Sequence, residues 1–229
     1  MQARLPMIVV FMLCVARAGI SKDSLQDVLA RMDQAAASFQ SMTAKSTVVQ
    51  HTDVINENDT ESTNVVMKKV GPNLVEGLLD FTEPANAKRT VSFSSRQAKI
   101  YYPKLKTIEV YDLGTFGEQI DQFIMIGFGT SGAELARSYI VKLAGEDSVN
   151  GQAAVKLELL PKSEDAKKYV TKIELWVPDR GAPYPLQEKI FEPSGDYRLI
   201  TYSDTKINPP LKADAVKLKV PAGVKTQQK

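Results

Sequence analysis

Ser62-Thr-Asn-Val-Val-Met-Lys-Lys-Val70, then Gly71-Pro72-Asn73, then Leu74-Val-Glu-Gly-Leu-Leu-Asp-Phe81, is the stretch on which the fold turns. Both outer runs favour extended backbone, because branched and aromatic side chains pack well on a pleated surface. Between them Gly-Pro-Asn breaks the pattern: glycine takes turn angles freely and proline cannot donate to a ladder. Within the second run Val75, Leu79 and Phe81 are separated by even numbers of residues, and such positions share one face of a strand. The stretch predicts two antiparallel strands with an apolar face.

Working outward, Lys45–Val54, Arg89–Ser94, Ala98–Tyr102 and Thr107–Tyr111 repeat the pattern, with Asn56-Glu-Asn-Asp59 as a polar turn. Turn signals separate them at the spacing of a meandering antiparallel sheet. The pattern resumes over Ala153–Leu160, Thr171–Val177, Leu186–Glu192, Tyr197–Ser203 and Ala215–Val220. Pro161–Ala166, Pro178–Gly181 and Glu192–Gly195 are the turns between, and Lys225–Lys229 reads as a frayed tail. Apolar residues also stand side by side in Val65-Val66-Met67, Leu78-Leu79, Ile100-Tyr101-Tyr102, Leu159-Leu160 and Leu175-Trp176-Val177. Such strands have something apolar on both faces. Either helices cover one face and a core fills the other, or a curved sheet encloses a cavity for an apolar ligand. The pattern leaves both open.

Two segments break the β rhythm. Ser24 followed by Asp27 predicts a capping box, and Leu25, Val28, Leu29, Met32, Ala35, Ala36 and Phe39 recur at helical spacing behind it. Gly114–Ala144 places Ile120, Phe123, Ile124 and Met125 among Glu118, Asp121 and Gln122, which predicts a short amphipathic helix. A glycine hinge follows (Gly127-Phe-Gly129, then Gly132), with a second short helix expected over Ala133–Tyr139. This insertion reads as a plug on one face of the sheet or as a movable, glycine-hinged lid.

The N-terminus reads as an export signal. Arg4 precedes the apolar run Met7–Val15, and Ala16-Arg-Ala18 offers the small residues a signal peptidase reads, so cleavage is expected near Ala18. The run is too short for the roughly 20 residues that span a bilayer. Cys14, the single cysteine, lies inside the discarded segment, and Leu13 before it argues against lipoprotein processing. Residues 19–229 are expected to form one soluble domain without thiols, outside the cytoplasmic membrane.

A formal net charge of +2 without dense Lys/Arg blocks gives no electrostatic footprint for nucleic acid. The one histidine, His51, sits in a strand context, where a cross-strand or solvent-facing role is the default. Neither a metal-spaced cluster nor a nucleophile motif, phosphate loop or dinucleotide fingerprint is found. Carboxylates are plentiful, but nothing selects a catalytic pair. No enzyme activity, cofactor or metal is expected.

Several segments together carry a resemblance. They are Val155-Lys-Leu-Glu-Leu-Leu-Pro-Lys162, Ile173-Glu-Leu-Trp-Val-Pro-Asp179, Pro185-Leu-Gln-Glu-Lys189, Gly195-Asp-Tyr-Arg-Leu-Ile-Thr-Tyr-Ser203, Ile207-Asn208 and Val220-Pro-Ala-Gly-Val224. Ser38-Phe-Gln40, Pro72-Asn-Leu-Val75 with Pro84, and Ile100-Tyr-Tyr-Pro103 join them from the N-terminal half. In order and spacing this series resembles the periplasmic outer-membrane lipoprotein carrier (LolA-like) family across residues 24–225.

The resemblance implies a mostly β (α+β) fold: an unclosed, strongly curved antiparallel β-barrel with helices covering its opening. The leading helix and residues 114–139 would form the lid. Val75 would line an apolar cavity, with Leu79, Phe81, Val91, Phe93, Ile100 and Tyr102 as further lining and Phe123, Ile124 and Phe128 from the lid. Each also reads as an ordinary core residue. The implied function is a periplasmic carrier, a monomer, that shuttles lipoprotein or lipid cargo from an inner-membrane release complex to an outer-membrane receptor. The alternatives are an envelope-stress sensor on the same fold and a hydrolase of unknown type. One departure stands out: where the family has an arginine just before the proline of its third strand, this chain has Lys68-Lys-Val-Gly-Pro72. A lysine does not reproduce the planar fork of a guanidinium.

Overall fold

The hairpin expected over residues 62–81 is present. A computed structural model describes residues 24–71, 74–94, 96–114 and 126–229. In it β2 (Glu57–Gly71) pairs antiparallel with β3 (Leu74–Glu83), Val65 opposite Leu79 and Met67 opposite Gly77. The meander continues through β4 (Arg89–Ser94), β5 (Gln97–Tyr102) and β6 (Thr107–Asp112). On the other side of β2 lies β1 (Ser41–Thr52), whose second edge takes β11 (Tyr197–Ile207). Beyond β11 follow β10 (Gln187–Phe191), β9 (Lys172–Pro178), β8 (Gln152–Pro161) and β7 (Tyr139–Val149). With β12 (Lys225–Gln228) on the far side of β6, one twelve-stranded sheet results. Its end strands, β12 and β7, do not pair with each other, so the curved sheet stays open.

Helices cover one face, here called the inner face. α1 (Leu25–Ser38) starts on the expected capping box: Ser24 Oγ accepts from Asp27 N at 3.2 Å, and Asp27 Oδ2 accepts from Ser24 N at 2.9 Å. Val28 and Met32 of α1 pack with Leu157, Leu159, Ile173 and Leu175, which alternate inward from β8 and β9. α2 (Gly132–Ser138) adds Leu135 to the same cluster. The two helices cross closely. A Cβ on Gly132 would stand 2.4 Å from the Leu29 carbonyl oxygen, and Asp33 Oδ1 accepts from Ala133 N at 3.1 Å. α3 (Glu164–Lys167) is a single turn before β9.

The side-by-side apolar residues have two partners because the outer face is also covered in places. Trp176 packs outward with Val149 and Ala154, its indole donating to Asp147 at 2.8 Å. Tyr101 and Val110 are buried on the outer side. Residues between Pro210 and Val220 run over this side and flank grooves with Leu78, Asp80, Ser92 and Ile108.

The structure differs from the sequence expectation at four places. β7 falls inside the segment read as an insertion. Tyr139, Val141 and Leu143 alternate inward there, but the alternation is short, and Gly145 (φ +126°) ends it at a bulge. Ala215–Val220 forms no strand: its alternating lysines and valines cover the outer face without a ladder partner. Lys225–Gln228, expected to be frayed, pairs in parallel with β6. The turn expected at 56–59 lies at 53–56 instead: β1 ends at Thr52, a single helical turn spans Asp53–Ile55, Asn56 adopts the left-handed region (φ +49°), and β2 begins at Glu57. The expected signal peptide (1–18) and the amphipathic helix carrying Phe123 and Ile124 lie outside the described residues.

Candidate functional site

Side chains directly opposed across neighbouring strands share a face and touch. On that rule the inner face of the β1–β6 half is fixed row by row. Ala44 opposes Val65, Val65 opposes Leu79, Leu79 opposes Val91, and Val91 opposes Ile100. Phe81 and Tyr102 stand two residues along their strands from Leu79 and Ile100, and Phe93 stands two from Val91, so they share this face. All seven strand residues singled out from the sequence therefore lie on one side of the sheet. Phe128 reaches the same side from the loop before α2 and belongs to the same cluster as Val75 and Phe93.

The row has two ends of different character. At one end Val75, Phe93 and Phe128 are buried among Phe39, Met42 and Met67, with exposures of 1%, 6% and 1%. The Phe93 ring lies over Gly77, where a Cβ would stand 2.2 Å from Cζ; only glycine fits under the ring. Phe128 meets Tyr202 edge-on at 5.0 Å between ring centroids. These three residues are core in this conformation. At the other end Leu79, Phe81, Val91, Ile100 and Tyr102 stay half-buried. There Arg89 holds Glu61 through its two terminal guanidinium nitrogens, at 2.5 and 2.9 Å, and stacks over the Phe81 ring at 3.7 Å. An apolar trough floored by β3–β5 thus ends at an ion pair with its guanidinium on a ring.

Sequence reasoning missed two residues. Asn208 clips the end of α1 to the start of β1: its Oδ1 accepts from Gln40 N at 2.8 Å and Ser41 N at 3.1 Å, and its Nδ2 donates to Ser38 O at 2.8 Å. Ser38-Phe-Gln40 and Ile207-Asn208, far apart in sequence, thus meet at one junction. Glu188 is the second. It opposes Leu175 and Ile200 on the inner face and is only 6% exposed. Burial raises its carboxyl pKa to about 8, against a smaller opposing effect of the Tyr202 hydroxyl. The signal available in sequence was slight: Glu188 stands two residues before Ile190, which is an inward position of β10.

His51 makes cross-strand contacts, as expected. It stacks on Tyr197 at 4.6 Å, and its Nδ1 lies 2.9 Å from Asn58 Oδ1. No helix among the described residues is long and apolar enough to cross a membrane.

A scan against protein-family models gives no match, and a search of curated proteins gives none. Solved structures do match. An uncharacterized conserved protein from Thermus thermophilus superposes with a TM-score of 0.55 at 14% identity, over 90% of this chain and 100% of that one. MucB superposes with a TM-score of 0.50 at 17% identity, over 85% of this chain and 62% of MucB. A LolA superfamily protein from Nitrosomonas europaea superposes with a TM-score of 0.41 at 15% identity, over 86% of this chain and 98% of that one. At identities of 14% and 17% the likeness is one of fold alone: an open, curved antiparallel sheet with helices on its inner face.

Proposed function

We propose that the protein is a non-catalytic carrier in the cell envelope that holds acyl chains of lipoproteins, or of related lipids, against the inner face of its half-barrel. The observation that carries this reading is the half-buried apolar row Leu79, Phe81, Val91, Ile100 and Tyr102, set on one face of β3–β5 beside a closed core. A surface of this kind is costly when wet, and each methylene laid on it contributes about 0.8 kcal/mol. Binding then needs no bond-making chemistry. Release follows from handover to a site that binds the cargo better, because a ligand shifts only an equilibrium between states it binds differently. The export signal read from residues 1–18 supports delivery to the compartment where such cargo travels.

A second reading is a regulatory binding protein. MucB, whose fold this chain shares over 62% of the MucB length, has also been solved in a complex with MucA from Pseudomonas aeruginosa. Native mass spectrometry on protein purified without detergent separates the readings. The carrier reading expects extra mass in acyl-chain increments and uptake of a fluorescent fatty-acyl probe. A clean unliganded mass with no probe uptake contradicts it, and saturable binding of an unacylated peptide alone favours the regulator.

A further inference from the structure

Polar side chains interrupt the inner face where its two halves join. Tyr202 on β11 opposes Ser46 on β1, and Ser46 opposes Thr63 on β2, so the three form one row across the sheet. Glu188 stands on β10 opposite Ile200, two residues along β11 from Tyr202. Ser46, Thr63 and Glu188 are 5%, 4% and 6% exposed. Tyr202 is half-buried. Thr63 Oγ1 is buried and has no hydrogen-bond partner among the described residues.

Neither group is explained by packing. An unpaired buried hydroxyl is a net cost to the fold, and an uncharged carboxyl among leucines and isoleucines is another. A valine at 63 and a leucine or methionine at 188 would serve a core better. Thr63 also opposes Phe81, so its hydroxyl stands at the head of the half-buried row that leads through Leu79 and Val91 to Ile100. From β2 to β5 that row measures about 14 Å at roughly 4.8 Å per strand.

We propose that Thr63, at the end of the row Tyr202–Ser46–Thr63, is a hydrogen-bonding subsite for the neutral carbonyl of an acyl ester or amide whose chain lies along β3–β5. The inference rests on the acyl-carrier reading. Thr63 Oγ–H donates to the carbonyl oxygen, which removes the unpaired hydroxyl from the complex. A free carboxylate suits the place poorly. It would lose its water among apolar neighbours, and Arg89, farther along the same face, is already engaged by Glu61. The subsite would fix how deep a chain enters and favour esterified or amide-linked acyl groups over free fatty acids.

The test uses the full chain and competition for an uncharged fluorescent probe by methyl palmitate and by hexadecane, both delivered from cyclodextrin. Thr63→Val keeps the side-chain shape and removes the hydroxyl. It should weaken methyl palmitate about tenfold, equal to about 1.4 kcal/mol, and leave hexadecane unchanged. Thr63→Ser, which restores a hydroxyl, should recover most of the loss. Thr63→Ala should give the same selective loss if the valine variant does not fold. Equal affinities of wild type and Thr63→Val for the ester, or equal losses for ester and hydrocarbon, overturn the subsite while leaving the carrier reading intact. A wild type that takes up neither compound overturns both.

Discussion

Glu188 is the residue whose surroundings depart furthest from its chemistry. In the fold its carboxyl protonates at about 8 instead of the ordinary 4.5, chiefly because burial disfavours the charge. Below about pH 4.5 the folded and unfolded chains both hold the proton, and this group adds no pH dependence. Between that value and 8 the unfolded chain has released the proton while the folded chain keeps it, so stability falls as pH rises. Glu188→Gln removes the titration without changing the volume. Its melting temperature should exceed that of wild type by ~5 °C at pH 8 and by little at pH 4.5, as followed by circular dichroism. An equal shift at both pH values would show that the carboxyl is not held neutral by the fold. Residues also differ in how far they could be read in advance. The Ser24–Asp27 box was legible because its partners are three residues apart, and capping is local. The Asn208 clip was not, because its bonds span 167 to 170 residues of sequence.

At the scale of elements, glycines in the segment before β7 show that a hinge signal and a close-packing signal look alike in sequence. Gly127 and Gly132 read as hinges, yet both are sites of close approach. A Cβ at Gly127 would meet Pro185 at 2.2 Å, and one at Gly132 would meet the backbone of α1 at 2.4 Å. In this conformation the segment around them is wedged. Gly132→Ala should destabilise the protein by about 1–3 kcal/mol, since a backbone atom of α1 must move and better helix propensity recovers less than that. A lowered urea midpoint with an unchanged slope would report it; an unchanged midpoint would mean that α1 and α2 slide apart freely. Strands with dense alternation, such as Leu157-Glu-Leu159 and Ile173-Glu-Leu175, were readable from their period. β7 and β12 were not. Each sits at an edge of the sheet with one neighbour, so burial imposes little pattern on its sequence.

Across the whole molecule, one sheet serves two purposes. Its β7–β10 part is sealed by α1 and α2 over a leucine- and isoleucine-rich core, which makes a rigid frame. Its β3–β5 part keeps an apolar row that is neither fully packed nor fully wet. The architecture was legible because strand periods, Gly/Pro breakers and the capped leading helix are local signals along the chain. Which inner residues are core and which are trough was not legible. Val75 and Ile100 have the same parity and chemistry, and only the placement of Phe39, Phe128 and α1 separates them.

The central claim is that the inner face of β3–β5 holds the acyl chain. Ile100 and Lys99 are neighbours on β5 that point to opposite faces, Ile100 beside Val91 and Lys99 beside Ser92. Titration of a fluorescent fatty-acyl probe into Ile100→Glu and Lys99→Glu, each checked for a native circular dichroism spectrum, tests the claim most directly. The expected result is loss of probe binding by a factor of ten or more for Ile100→Glu, on the order of the cost of a charge on an apolar contact surface, with Lys99→Glu binding as wild type does. Equal binding by both variants, or loss in Lys99→Glu alone, would contradict it.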